Sequence, residues 1–212
     1  VYDGNTGNAL IQVDKNGQNS IVLYAGGNGG ISLSEVENVI DSFDAGDYLV
    51  MQNEIAHTKE IITAAKKRDL RVHFNPSPYN EKIETLPLES VDCFFVNELE
   101  GAYLAGLPKS ASFPDTLDAL TKRFPKAEII LTVGKSGAYY GRGGEREYAA
   151  IVDAPVVDTI GAGDTFTGYF LASRAKGFDI REALKIASRA SAITVSRKGA
   201  MESVPFAKEV FA

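Results

Sequence analysis

The chain has 212 residues, 44% hydrophobic and 24% charged, with one cysteine and a net charge of −6. That length predicts one domain able to bury about 70% of its unfolded surface around a single core. The negative balance, without a Lys/Arg stripe, excludes an electrostatic nucleic-acid binder. No apolar run approaches the ~18 residues of a membrane span, and no signal-peptide pattern is visible. Cys93 lies in the apolar run "CFFV". A buried thiol and a cytoplasmic setting are expected, since a lone cysteine cannot form an internal disulfide.

In chain order, "NALIQVD" and "QNSIVLY" are β-rich runs flanking Lys15-Asn16-Gly17, the pattern of a hairpin over residues 8–24. "GGNGG" at 26–30 lacks the Lys-Ser/Thr of a P-loop and reads as a flexible joint. Ser32 and Glu35 then form a capping box ahead of Val36, Val39, Ile40 and Phe43. "DYLVMQ", "RVHFN", "CFFV" and "EIILTV" read as buried strands, alternating with helices near 56–67, 98–105 and 115–124. "GAYYGRGGEREYAAIV" predicts antiparallel strands at one edge, and two helices close the chain from Asp164 and about Ile180. The expected fold is α/β: a doubly wound, mostly parallel sheet with helices on both faces and part of a small β lid. Such sheets bind ligands beyond the carboxyl ends of their strands.

The stretch "DTIGAGDTF" places Gly161, Ala162 and Gly163 at a helix mouth, with Asp164 on its rim. Unpaired N–H groups and about half a positive charge make such a terminus attractive to anions. Small residues leave the backbone bare for the oxygens of a transferring phosphoryl group. Asp164 would accept the proton of the attacking hydroxyl; loose phosphoryl transfer asks for orientation more than basicity. The plainer alternative is that Asp164 only caps its helix.

These residues carry a family resemblance. "DTIGAGD" resembles the signature of the ribokinase family, the PfkB carbohydrate kinases. "VNELEG", "TVGKSG" and "VSRKGAMESVP" resemble three further motifs of that family, in the same order. The resemblance implies an ATP-dependent sugar kinase, with ribose as the first candidate acceptor. Fructose, ketodeoxygluconate or nucleoside kinases of the family are alternatives, as is a noncatalytic nucleotide- or sugar-binding module. It implies Asp164 as catalytic base and substrate contact, and Gly161, Ala162 and Gly163 as the anion hole. Asn97 and Glu100 would organise the ATP phosphates and Mg²⁺, largely through water. The alternative for Glu98 and Glu100 is an acidic first turn. Thr132, Gly134, Ser136 and Gly137 would contact the nucleotide, though "GKSG" also reads as a plain turn. Ser188 would lie near the adenine. Glu54 matches a position near the sugar, or is a solvated strand-end carboxylate.

A K⁺ site is implied as well: Asp158, the carbonyls of Ile160, Thr194, Arg197 and Gly199, and the hydroxyl of Ser203. Potassium suits such weak-field oxygen cages. Asp158 as a strand-end turn former is the alternative. His57 and His73 have no ligand partners at metal spacing and are read as surface and strand residues. The chain opens at Val1, in strand-like sequence, without the family's upstream "GGKGAN"-type sugar-binding block. The expectation is a catalytic part that lacks its N-terminal block. The resemblance also implies a homodimer through the lid.

Overall fold

The computed structural model describes residues 4–13 and 19–211, which form two compact units divided after Asp92. In the first, β1 (Asn8–Val13) and β2 (Asn19–Tyr24) pair antiparallel, with Asn8 opposite Tyr24 and Val13 opposite Asn19. The expected Lys15-Asn16-Gly17 turn lies outside the described residues. Leu10, Val22, Leu23 and Tyr24 are exposed on this ribbon. Gly26–Gly29, in the connection that follows β2, is a short 3-10 turn.

Next comes α1 (Leu33–Asp41), opened by the expected capping box. Ser32 Oγ accepts the Glu35 N–H at 3.2 Å, and Glu35 Oε2 accepts the Ser32 N–H at 2.9 Å. Val36 and Ile40 are buried, but Val39 and Phe43 are exposed, so only part of the apolar stripe is covered. β3 (Tyr48–Gln52) and β4 (Arg71–Asn75) run parallel, Met51 beside Phe74. They are joined through α2 (Thr58–Lys67), which buries Ile61, Ile62 and Ala65. α2 ends on Asp69 in the left-handed region, at φ 58°. The N–H groups of Asp69 and Leu70 donate back to Lys66 and Ala65, which satisfies the last carbonyls of the helix.

The second unit starts with β5 (Cys93–Asn97) and continues through α3 (Glu98–Leu104) and α4 (Phe113–Arg123) to β6 (Glu128–Thr132). β5 and β6 are parallel, in a register that sets Asn97 beside Thr132. β7 (Ala138–Arg142) and β8 (Glu145–Ala149) add antiparallel, as expected from the sequence. Arg146 bonds Asp118 of α4 at 2.8 Å. The next residue, Glu147, bonds Arg181 of α6 (Ile180–Val195) at 3.0 Å. Successive strand residues face opposite sides, so α4 and α6 cover opposite faces of this sheet.

Cys93, Phe94, Ile129, Ile130 and Leu131 are fully buried between them, each large apolar side chain contributing about 1.5–3 kcal/mol. α5 (Ala162–Ala175) packs along α6, and its Phe170 meets Phe95 edge-on at 5.8 Å. The short α7 (Ala207–Val210) seats Val210 against Ile186 and Ala190. No helix among the described residues is long and apolar enough to cross a membrane.

Candidate active site

α5 starts two residues earlier than the sequence suggests. Its N-cap is Gly161, at φ 76° and ψ −1°, and no side chain caps it. Asp164 is therefore the third residue of the helix and is exposed; the simple capping role does not hold. The two glycines of the mouth are needed for different reasons. Gly161 adopts a left-handed conformation that L side chains rarely take. Gly163 has no such requirement, and a Cβ added there would meet nothing within 4 Å. Neither packing nor backbone conformation explains Gly163. A bare backbone facing open space does, beside first-turn N–H groups that the i→i−4 ladder cannot use.

The segment before the mouth is held by Asp158. Its Oδ1 accepts the Ile160 N–H at 3.0 Å and its Oδ2 the Gly199 N–H at 3.1 Å. These bonds, that from Ile160 foremost, hold the carboxyl below the usual aspartate range. Asp158 is thus a bridge between two loops as well as a turn former. Val195 O accepts the N–H groups of Val157 and Asp158 at 2.7 and 3.2 Å. Below the mouth, Ser191 Oγ donates to Ala162 O at 3.0 Å, and the buried hydroxyls of Thr165 and Thr194 lie 3.0 Å apart. A Cβ at Gly161 would stand 3.5 Å from Ala200 Cα, so the mouth rests on the loop that follows α6. In that loop Ser203 Oγ donates to Ala200 O at 2.6 Å, and the Arg197 N–H to Thr194 O at 3.0 Å. The Arg197 side chain turns away to Glu209. That hydrogen bond, more than the Phe206 N–H, lowers the Glu209 carboxyl from its usual range. The structure therefore brings together Asp158, Ile160, Gly161, Thr194, Gly199 and the Arg197 backbone from the sequence-based set.

A second group sits at the carboxyl ends of β5 and β6. Asn97 Oδ1 caps α3, accepting the N–H groups of Leu99 and Glu100 at 2.9 Å each, while Glu100 Oε2 accepts the Asn97 N–H at 3.0 Å. Sequence reasoning passed over this capping box, although its Asn-x-x-Glu signal is plain. It fixes both side chains and leaves Glu100 largely buried. Thr132 donates to Val96 O at 3.3 Å. After it, Gly134–Ser136 is a single 3-10 turn closed by Ser136 N–H to Val133 O at 2.9 Å and Gly137 N–H to Gly134 O at 3.2 Å. Gly137 has φ 88°, and a Cβ there would come within 2.3 Å of Ala149 O. Packing against β8 alone demands this glycine, whatever else the loop contacts.

The remaining residues lie each in its own unit. Ser188 is buried on α6. Glu54, in the first unit, is exposed in the turn after β3. His57 opens α2 at φ 62°, with Nδ1 3.9 Å from Glu60. His73 is buried in β4 beside Tyr48, ring centroids 4.6 Å apart, and burial lowers its pKa to about 4. Among the described residues, no group of three or more His, Cys, Asp or Glu side chains is placed to hold a metal ion.

Comparison with known proteins places the chain in a family. Residues 1–207 match the family model described as pfkB family carbohydrate kinase. A ribokinase of Schizosaccharomyces pombe is 34% identical over 222 residues, covering 99% of this chain and 68% of the relative. A ribokinase of Staphylococcus aureus is 30% identical, with 98% and 69% covered. Among solved structures, a ribokinase of Cryptococcus neoformans in complex with ADP matches with a TM-score of 0.86 at 31% identity, covering 100% of this chain and 72% of that one. Arabidopsis thaliana ribokinase complexed with ribose and ATP gives 0.84 at 29%, with 99% and 69% covered. These likenesses give the chain the ribokinase-like fold, a mostly parallel sheet with flanking helices plus a small antiparallel sheet. The chain belongs to the PfkB family of carbohydrate kinases.

Proposed function

We propose that the protein is an ATP-dependent sugar kinase that transfers the γ-phosphoryl group to a primary hydroxyl, ribose being the first acceptor to test. The observation that carries this reading is Gly163, bare and opening onto free space one residue before Asp164. The names and ligands of the ribokinase relatives support it. Asp164 takes the hydroxyl proton as the new O–P bond forms and the bond from the γ-phosphorus to the bridging oxygen breaks, leaving ADP. The N–H groups at the α5 mouth face the oxygens on which charge is spread, and aiming them in advance avoids reorganisation during transfer. Asn97, Glu100, Thr132, Gly134, Ser136, Gly137 and Ser188 would position the nucleotide, and Glu54 would approach the sugar.

The donor set fits the family's two cations. Mg²⁺, when bound with the nucleotide, offsets phosphate charge. With Glu100 the single buried carboxylate among the described residues, it would be held mainly by phosphates and water. The oxygens of Asp158, Ile160, Thr194, Arg197, Gly199 and Ser203 suit K⁺, and the Ser203 hydroxyl keeps acceptor capacity while donating to Ala200. We further propose a homodimer through the β1–β2 ribbon, whose Leu10 and Val22 are 61% and 63% exposed; sedimentation at two concentrations tests it.

The test of the enzymatic reading is Asp164→Asn. It should lower kcat by about 10²–10⁴-fold, the usual weight of general-base catalysis, with little change in ATP affinity. Near-full kcat in the variant would remove the base assignment.

A further inference from the structure

The mouth of α5 is linked to the end of the chain by polar contacts joined through the backbone of residues 197–199. Asp158 grips the Gly199 N–H, and two residues earlier the Arg197 guanidinium donates to Glu209 Oε1. The other oxygen of Glu209 accepts the Phe206 N–H at 2.8 Å and closes the first turn of α7. α7 is itself anchored: Tyr169 Oη donates to Pro205 O at 2.7 Å, Arg189 to Val210 O at 2.8 Å, and Val210 is buried. Glu209 is therefore the joint between an anchored helix and the loop on which Gly161 rests. An ion pair about one-third exposed on each side contributes little to global stability. Its leverage is positional.

We propose that Glu209 is a positioning residue for phosphoryl transfer: through Arg197 it fixes residues 197–200 beneath Gly161 and so aims the N–H groups at the α5 mouth. The reaction named here rests on the sugar-kinase reading; the mechanical link does not. A shift of 1 Å in such a group can cost about 10²-fold in rate, so loosening the joint should cost about tenfold in kcat.

The experiment compares Glu209→Ala, Arg197→Met and their double variant. It reads kcat and the KM for ATP with ribose, and amide hydrogen exchange over residues 158–165. The expected result is a kcat loss of about tenfold with the KM for ATP within about threefold, and exchange over 158–165 about tenfold faster. The double variant should be no worse than either single one, because both break one connection. Glu209→Gln keeps an oxygen for the Phe206 N–H and serves if Glu209→Ala does not fold. Unchanged exchange over 158–165, faster exchange confined to 204–211, or losses that multiply in the double variant would each overturn the proposal. If the full-length protein phosphorylates no sugar, the kinase reading fails, while the exchange measurements still decide the link.

Discussion

Asp158 and Gly199, 41 residues apart in sequence, are joined by a 3.1 Å hydrogen bond from the Gly199 N–H to Oδ2. The same carboxylate holds Ile160 through Oδ1, so one side chain ties the loop before α5 to the loop after α6.

Replacing Asp158 by Asn leaves one oxygen and turns an NH₂ group toward one of two N–H donors, a donor–donor conflict. Asp158→Asn should lower kcat by about tenfold or more. The proposed cation cage predicts a wild type faster in potassium than in sodium at equal ionic strength, and a variant without that preference. Initial rates in the two salts measure it, and identical wild-type rates would count against the cage.

Stability and activity should move in opposite directions at Gly163. A methyl there meets nothing within 4 Å, and Ala is preferred to Gly inside a helix by about 0.5–1 kcal/mol. Gly163→Ala should unfold at slightly higher urea yet transfer phosphoryl groups much more slowly, because the methyl crowds the anion hole. Gly161→Ala, forced to φ 76°, should lose about 1–2 kcal/mol. Full activity in Gly163→Ala would deprive the bare backbone of its proposed role.

His73 gives the fold an acid sensitivity. Burial lowers its pKa to about 4, against about 6.5 in an unfolded chain. Above pH 6.5 both states are neutral and the histidine contributes no pH dependence. Between pH 6.5 and 4 the unfolded chain binds a proton that the folded chain does not, so stability falls with pH by a total on the order of 3 kcal/mol. Urea unfolding at pH 7 and 4.5 should show this loss, and His73→Phe, which keeps an aromatic ring beside Tyr48, should show less of it. Equal pH slopes in the two proteins would refute the assignment.

What the sequence revealed depended on how local the determining interaction is. The strands "RVHFN" and "EIILTV" and the Ser32 cap are written in contiguous residues, and the structure has them in place. The α5 start was misjudged because Gly161 caps by conformation rather than through a side chain, so the first polar residue, Asp164, was mistaken for the helix start. Asn97 and Glu100 drew attention as phosphate organisers, and that hid the capping box which orients both. The Asp158–Gly199 and Arg197–Glu209 links join residues with no periodic or spacing signal between them. Nor does the string "GKSG" announce that Gly137 faces the backbone of a strand formed later in the chain.

That last relationship supplies a prediction that separates packing from nucleotide contact. Gly134 and Gly137 both have positive φ, 49° and 88°, but a Cβ at Gly134 meets nothing within 4 Å, whereas one at Gly137 comes within 2.3 Å of Ala149 O. The obstructing atom is backbone in β8, paired with β7 through Ala138 and Ala149, and cannot rotate away as a side chain would. Gly134→Ala therefore bears only conformational strain, about 1–2 kcal/mol. Gly137→Ala bears that strain plus displacement of a strand, and should lose about 2 kcal/mol more, as overpacking does. Urea unfolding of the two variants measures the difference. Equal losses would show that β8 yields to the added methyl, leaving nucleotide contact as the stronger reason for a glycine at 137.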